Sequence, residues 1–433
     1  SLGVVPFSDH HPLAHTLLLK GLLTAATWIT GSTNSALGLV SLAQLFALAA
    51  VFALYFETLR GLRLPQWVLN TNLALFALHP LIGWFSVTLW KDMWLAAFVL
   101  LLASSTTVIV RRRGEVNWKW WALFFAAALG MMLAKKTGVY LALPFILLTA
   151  LFLRGRALVT WLLLGLAAVG LYFGAHSALM STLEATPSPK AEALSIPVQQ
   201  IARTVQLHGP ELSAAEHAEI HRFFPVPDLG ALYNPEISDK VKRELDPDAY
   251  DEHSGDFWQL WAQLAKQYPR TYLESILAGT SGYWYPHTQH WMVQATDWTA
   301  MVNSPPNNRG LTELVDPQLA SDRQGPATVK AAAQGALNVN LRTIPLFGLL
   351  FAIGAWVWVA VWYTAVGFLR RRRPTFPVAL LAALVLGTCL ISPVFAEARY
   401  AYPILLLLPL LGITAFEHRE PQVREPHGLP AGS

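Results

Sequence analysis

The chain has 433 residues, of which 54% are hydrophobic and 13% are charged, and its mean hydropathy is +0.39. A soluble domain carries about 25% charged residues, so this composition excludes a soluble protein and predicts an integral membrane protein. The formal net charge of +4 lies in short clusters beside apolar runs and therefore indicates no nucleic-acid partner. A single cysteine, Cys389, excludes an intrachain disulfide.

Apolar runs, most of them near the ~20 residues that a spanning helix requires, define the predicted elements. They predict an all-α, polytopic bundle of transmembrane helices. The chain begins with polar residues instead of a signal peptide, and we expect a further helix upstream of its start. The runs lie at 37–59, 66–86, 93–110, 118–134, 138–153, 157–177, 344–369, 376–394 and 400–416.

Basic clusters between these runs predict the orientation. If the chain crosses the bilayer at every run, all of the clusters fall on one side, which the positive-inside rule assigns to the cytoplasm. The protein is then expected to be a multi-pass protein of the plasma membrane. The clusters are Arg60 with Arg63, Arg111 to Arg113 with Lys119, Arg154 with Arg156, and Arg370 to Arg373.

Four regions follow from this orientation. Residues 1–177 form an N-terminal transmembrane bundle with a first outer loop, and residues 344–416 form the C-terminal transmembrane helices. Residues 178–343 are an extracytoplasmic insert of short helices and loops. Residues 417–433 are polar and predict a disordered cytoplasmic tail.

Within the insert, residues 255–280 place apolar side chains at helical spacing. Phe257, Trp258, Trp261 and Leu264 are expected on one stripe of a helix that packs on the membrane or on the bundle. Residues 283–291 are rich in aromatic residues, which is typical of the membrane interface.

The first candidate site is the segment SDHHPLAH at 8–15. Asp9 stands before His10, His11 and Pro12 at the expected membrane surface. Partial burial makes a carboxylate more basic, so Asp9 is a candidate general base, and the alternative is a cap of the following helix. A divalent-metal site formed by Asp9, His11 and His15 is a further interpretation, since the two histidines are four residues apart.

Two outer turns carry further charges. Lys91 and Asp92 are either an interfacial anchor with its partner or part of a polar site. Lys135 and Lys136 oppose the positive-inside bias, because they lie on the outer side, and this favours a bound anion.

The last outer turn contains Glu397, Arg399 and Tyr400 at the start of an apolar run. Arg399 at a helix start is suited to a phosphate, and an ion pair with Glu397 is the alternative. Together with the other outer charges, this turn predicts one outward-facing pocket.

The motif series resembles the GT-C superfamily of multi-spanning glycosyltransferases that use lipid-linked sugars. It is closest to an uncharacterised bacterial membrane family related to those enzymes. The resemblance covers nearly the whole chain. It rests on the motifs SDHHPLAHTLL, HPLIGWFSVTLWKD, AKKTG, YNPEISDKVK, SGYWYP and EARYAYP.

The resemblance implies a helix bundle of GT-C type that transfers a sugar, with inversion, from a polyprenyl-phosphate carrier to a cell-envelope glycan, lipid or protein. Asp9 would be the general base, and Asp92 would assist the acceptor or a metal. No cofactor is required with certainty, and a divalent metal is one interpretation. The substrate-binding residues would be His10, His11, Lys91, Lys135, Lys136, Glu397, Arg399 and Tyr400.

Two other classes remain open from the sequence. A lipid or small-molecule transporter or flippase also has charges in the membrane, but these usually lie near its middle, within internal repeats. In a structural or assembly protein, the same charges would only anchor helices.

Overall fold

The computed structural model describes residues 7–62, 64–286, 346–391 and 394–417. Every named element within these ranges is helical, and the only bridge between extended segments there joins Ser8 to Thr186. The prediction of an all-α chain is therefore confirmed for the described residues. The part of the predicted insert beyond 286, which includes the aromatic residues at 287–291, and the tail from 418 lie outside them.

The described part of residues 7–182 forms eight α-helices. A tight turn at Gly31 and Ser32, with Gly31 in the left-handed conformation, joins the first two helices into an antiparallel hairpin. The eight helices are α1 (Leu13–Thr30), α2 (Thr33–Gly61), α3 (Gln66–Leu78), α4 (Pro80–Ser86), α5 (Lys91–Arg111), α6 (Trp118–Ala134), α7 (Thr137–Ala150) and α8 (Gly155–Thr182).

Among the residues that the structure describes, four helices are long and apolar enough to cross a membrane by length and composition, or five if a bent pair is counted as one span. The four are Ser35–Gly61 within α2, then α5, α8 and the last helix of the chain, Ala398–Phe416. The helices at the other apolar runs are apolar but have 10–17 residues.

The run expected at 66–86 is not one helix, and this corrects the prediction of a single spanning segment. It breaks at His79 into α3 and α4, whose axes differ by 58°. Pro80 is the first residue of α4 and cannot donate a backbone hydrogen bond to α3, so the helix restarts there.

The centre of the bundle is α5, which is buried along nearly its whole length. Small residues allow neighbouring helices to approach it closely. Gly130 of α6 faces the ring of Phe98, where a methyl group would come within 2.5 Å of the ring. Ser104 and Thr107 donate their hydroxyls to carbonyls four residues earlier, so these polar groups are satisfied inside an apolar core.

The insert forms its own small helical domain. Its core is contributed mainly by α9 and α13, with aromatic residues from the loops between them. The helices are α9 (Ser195–His208), α10 (Ala214–Phe223), α11 (Asp239–Arg243), α12 (Pro247–Glu252), α13 (Ser254–Gln267) and α14 (Pro269–Trp284).

The structure corrects two expectations about 255–280. The segment is two helices, because α13 ends before Pro269 and α14 begins there. The buried stripe of α13 is Phe257, Leu260 and Leu264, whereas Trp258 is 41% exposed. The stripe packs into the core of the insert itself, since that is where these side chains find apolar partners.

The C-terminal helices are α15 (Ile353–Leu369), α16 (Thr375–Ile391) and α17 (Ala398–Phe416). The insert is seated on them through α14. Gly282 of α14 lies against the backbone of Ala396, and Gly354 of α15 lies against the carbonyl group of Tyr285. These close backbone contacts fix the insert above the turn that joins α16 to α17.

Candidate functional site

A polar cavity of about 880 Å³ lies where the insert meets one end of the helix bundle. The N-terminal segment, the α4–α5, α6–α7 and α16–α17 turns, and the insert all contribute to its wall. Charged residues make up nearly half of the lining. They are Lys91, Asp92, Lys135, Lys136, Glu192, Glu236, Asp239, Lys242, Glu397 and Arg399.

The site residues expected from the sequence are brought together here, with one exception. His10, His11 and Tyr400 also line the cavity, although they come from opposite ends of the chain. Asp9 does not line it. It lies behind Lys136 and is 8% exposed.

Asp9 is held on all sides by the protein. Its Oδ2 lies 2.6 Å from Lys136 Nζ, and its Oδ1 lies 3.2 Å from His176 Nε2 in α8. The backbone N–H of Asp9 donates to the Thr186 carbonyl, and the Ser188 hydroxyl donates to the Asp9 carbonyl at 2.7 Å. Asp9 therefore joins the N-terminal segment to α8 and to the start of the insert.

These contacts decide between the interpretations of Asp9. The N-cap of α1 is Pro12, and no side chain caps that helix, so the helix-cap interpretation is wrong. Both carboxylate oxygens already have partners, and Asp9 does not line the cavity, which disfavours it as a general base.

Asp92 is one of the two carboxylates that the helix bundle contributes to the cavity wall. It is 2% exposed, and its Oδ1 accepts a hydrogen bond of 2.6 Å from Lys135 Nζ. Lys135 Nζ also lies 4.0 Å from the centre of the Tyr400 ring. The cation is thus held between a carboxylate and an aromatic face, because both attract positive charge.

Lys91 contacts the histidine pair of the N-terminal segment. Its Nζ lies 3.2 Å from His11 Nδ1. Burial, assisted by the charge of Lys91, lowers the pKa of His11 to about 4. Neutral His11 is therefore the form that accepts the hydrogen bond from the Lys91 ammonium group.

The α16–α17 turn presents Glu397 and Arg399. Ala396 has a φ of 51°, a left-handed conformation that residues with a side chain rarely adopt, and it directs the chain into α17. Arg399 Nε lies 3.5 Å from Glu397 Oε2. The guanidinium group also stacks over the rings of Trp90, at 4.9 Å, and Tyr400, at 5.0 Å.

The ion pair between Glu397 and Arg399, one of the two alternatives for this turn, is therefore present. It does not exclude a phosphate, because the guanidinium group has five N–H donors and also lines the cavity. Arg399 is thus anchored by one carboxylate and oriented by two aromatic rings.

The insert supplies the opposite wall of the cavity. Its charged residues were not among the site residues predicted from the sequence. Lys242 Nζ lies 2.9 Å from Glu192 and 3.0 Å from Asp239. Burial lowers the pKa of Lys242, but these hydrogen bonds outweigh burial and leave that pKa raised. Glu236 is exposed to the cavity, and its carbonyl oxygen accepts a hydrogen bond from the Phe395 N–H.

Charge is divided across the cavity. The helix-bundle side, which we call the floor, carries the four cations Lys91, Lys135, Lys136 and Arg399 against Asp92 and Glu397. The insert side, which we call the roof, carries Lys242 against three carboxylates. An anion is therefore attracted to the floor, and a neutral or cationic group is attracted to the roof.

A second cavity, of about 430 Å³, adjoins the floor and runs along α1. Leu19, Leu23 and Leu89 give it an apolar wall. It shares four lining residues with the polar cavity: His11, Lys91, Asp92 and Arg399. The second cavity, which we call the apolar groove, thus meets the polar cavity at the cations Lys91 and Arg399 and the carboxylate Asp92.

Several other polar and aromatic residues, including three of the insert, lie outside the polar cavity. Arg203 pairs with Glu274 and stacks on Tyr233, and His208 contacts Thr271 within the insert. His15 lines only the apolar groove. Within the ranges that the structure describes, no group of three His, Cys, Asp or Glu side chains is arranged to hold a metal ion.

The fold and the site define an all-helical protein with several apolar helices long enough to cross a membrane and a charged cavity at one end of the bundle. The chain belongs to a family described as a family of unknown function (DUF6020), which matches residues 4–428. No curated protein and no solved structure matches the chain.

Proposed function

We propose that the protein is a glycosyltransferase that moves a sugar from a polyprenyl-phosphate carrier to a cell-envelope acceptor. One observation carries this proposal. The apolar groove along α1 and the polar cavity meet at Lys91, Arg399 and Asp92. A lipid-linked sugar has the same sequence of parts: an apolar chain, a phosphate, and a polar sugar.

The proposed topology is a multi-pass plasma-membrane protein of GT-C type with the insert on the extracytoplasmic side. The short apolar helices α6, α7, α15 and α16 would cross with the longer ones, since the arginine clusters then fall on one side. The cavity lies at the end of the bundle opposite those clusters. This is the face at which a carrier would deliver a sugar for the cell envelope.

The floor would bind the phosphate and stabilise it as a leaving group. In an inverting transfer, an acceptor hydroxyl oxygen forms a bond to the anomeric carbon as the bond between that carbon and the phosphate oxygen breaks. The electron pair of the broken bond stays on the phosphate. Lys91 and Arg399 are placed to bind the charge that develops there, which is the role of fixed cationic donors in catalysis.

Asp92 is the proposed general base. It faces the cavity at the junction, so its carboxylate can take the proton of the acceptor hydroxyl during attack. Lys135 holds it in place at 2.6 Å. Asp9, whose carboxylate is engaged by Lys136 and His176, would instead position the floor.

Lys136 connects Asp9 to the cavity, because it contacts Asp9 and also lines the cavity. Its ammonium group donates to Ser188 at 2.7 Å while it contacts Asp9.

A divalent metal at the floor would have to share Asp92 with Lys135. An assay of transfer with and without a chelator tests directly whether a metal takes part.

The proposal is tested by transfer of radiolabelled sugar from a panel of polyprenyl-phosphate donors, in membrane vesicles that contain the full chain. We expect transfer with at least one donor. Asp92→Asn is expected to reduce it by about 100-fold or more, which is typical for loss of a general base. Asp251→Asn is the matched control, because Asp251 is an exposed carboxylate of the insert that pairs only with Lys190 among its described contacts.

Two results would contradict the proposal. The absence of transfer with every donor, while the protein inserts and folds, would argue against an enzyme of this class. Suppose instead that the labelled lipid moves across the bilayer without transfer of its sugar, and that Asp92→Asn abolishes this movement. That result would identify a flippase or transporter.

A further inference from the structure

A separate groove lies at the other end of the helix bundle, about 30 Å along α5 from Asp92, given a rise of 1.5 Å per residue. Its volume is about 970 Å³. Side chains of α3, α15 and α17 line it, and most of them are apolar. They include Leu75, Val359, Leu408 and Ile413, with the rings of Trp67 and Trp362.

Arginines stand at the mouth of this groove. Arg111 and Arg370 line it, together with one carboxylate, Glu417, which pairs with Arg111. A smaller cavity of about 240 Å³ shares Arg111 with the groove and adds Arg112. Three arginines against one carboxylate give this mouth a net positive charge.

The aromatic residues around the mouth indicate where it lies relative to a bilayer. Trp67, which lines the groove, is 69% exposed at the start of α3, and Trp118, at the start of α6, is 71% exposed. Tryptophan with a large exposed face prefers the interface between lipid chains and water. The groove would therefore open at the level of lipid headgroups.

We propose that this groove is a binding site for an anionic phospholipid. One acyl chain would fill this groove, and the phosphate would bind Arg112 and Arg370. The net positive charge of the mouth favours an anionic lipid. An anionic headgroup neutralises that charge, whereas a zwitterionic headgroup does not. The site is distinct from the cavity at the insert and does not depend on the glycosyltransferase proposal.

The test is lipid binding to the full chain, purified in detergent, by native mass spectrometry with phosphatidylglycerol or phosphatidylcholine of the same acyl chains. We expect one phosphatidylglycerol to bind at least about tenfold more tightly than phosphatidylcholine. In Arg112→Gln/Arg370→Gln this preference should fall by about tenfold or more, as expected for two lost charge-assisted contacts. Arg111 is left unchanged, because its removal would leave Glu417 without that ion pair.

A matched control separates this site from general surface charge. Arg154→Gln/Arg156→Gln removes two exposed arginines at the same end of the bundle that line neither the groove nor the smaller cavity that contains Arg112. It should retain the preference, and Arg112→Lys/Arg370→Lys, which keeps both charges, should retain most of it.

The proposal is overturned if the two lipids bind equally, if the control loses the preference as fully as the groove variant, or if no lipid is retained by the unaltered chain. The melting temperature of each variant without added lipid shows whether it is folded. With phosphatidylglycerol added, the unaltered chain and the control should be stabilised and the groove variant should not.

Discussion

Lys136 Nζ lies 2.6 Å from Asp9 Oδ2 and 2.7 Å from the hydroxyl oxygen of Ser188, so one ammonium group joins the N-terminal segment, the α6–α7 turn and the start of the insert. The three segments are separated by more than a hundred residues of sequence in total. Asp9 is consequently expected to act mainly through Lys136.

Asp9→Asn should therefore have a larger effect on the stability of the protein than on the rate of sugar transfer. Loss of the charge leaves Lys136 without its carboxylate partner, and we expect the free energy of unfolding to fall by about 1–3 kcal/mol, since Lys136 is partly exposed and solvent screens it. Unfolding by denaturing detergent in mixed micelles measures this change. Transfer that disappears while stability is unchanged would return the role of general base to Asp9.

Arg399→Lys tests whether the planar guanidinium group binds the donor phosphate. Lysine keeps the charge but loses stacking on Trp90 and Tyr400 and the forked donor geometry. We expect KM for the donor to rise by about tenfold, and kcat to change by less than about threefold because lysine keeps the positive charge that binds the leaving phosphate. Arg270→Lys, at an exposed arginine of the insert, is the control and should leave both constants unchanged.

Gly282→Ala tests the contact between the insert and the α16–α17 turn. A methyl group there would come within 2.4 Å of the Ala396 nitrogen, a backbone atom that cannot rotate away. We expect a loss of about 1–3 kcal/mol in stability from overpacking. Gly174→Ala in α8, where the added methyl group meets nothing within 4 Å, should be neutral or stabilising by up to about 1 kcal/mol.

A melting temperature of Gly282→Ala equal to that of the unaltered chain would show that the turn moves freely relative to α14. Transfer should also fall in this variant, because Glu397 and Arg399 follow the displaced residue directly.

His15 gives stability a dependence on acid pH. Burial, assisted by the charge of Lys91, lowers the pKa of His15 to about 4 from an unperturbed 6.5. The unfolded chain then binds a proton at higher pH than the folded chain, so this contribution to stability is complete above pH 6.5 and is lost as the pH falls toward 4.

The melting temperature of the unaltered chain should consequently fall more steeply between pH 6.5 and pH 4 than that of His15→Gln. Parallel curves for the two proteins would show that His15 titrates alike in the folded and unfolded states. Above pH 7 the slopes should coincide, because both states are then neutral at this position.

The helices were predictable to within a few residues wherever an apolar run ends at arginines or at a polar turn. The run expected at 118–134 is α6 itself, and 93–110 lies inside α5. Two breaks were missed, at His79 and at Tyr268, each followed by proline, and the run expected at 344–369 is α15 only from Ile353. At His79 hydropathy stays high across a break that only the missing backbone N–H of Pro80 imposes.

The floor of the cavity was predictable because its cations violate an expected distribution of charge. The roof was not, since Glu236 and Lys242 lie in a polar segment where charges are ordinary. Asp9 lies at the same end of the bundle as the other candidate residues, but its partners His176 and Lys136 are distant in sequence. No local pattern distinguishes a carboxylate that binds a lysine from one that faces a ligand.

The unequal lengths of α5 and α7 have a consequence for the surrounding lipid. Both begin at the floor, but α5 has 21 residues and α7 only 14, or about 31 Å and about 21 Å of rise. In the proposed topology, a bilayer about 30 Å thick fits α5 and exceeds α7, so lipid beside α7 would have to thin to meet it. Because both helices begin at the same level, the thinning would fall at the other end of α7, where headgroups would dip toward Arg154 and Arg156 and leave the level of the floor unchanged.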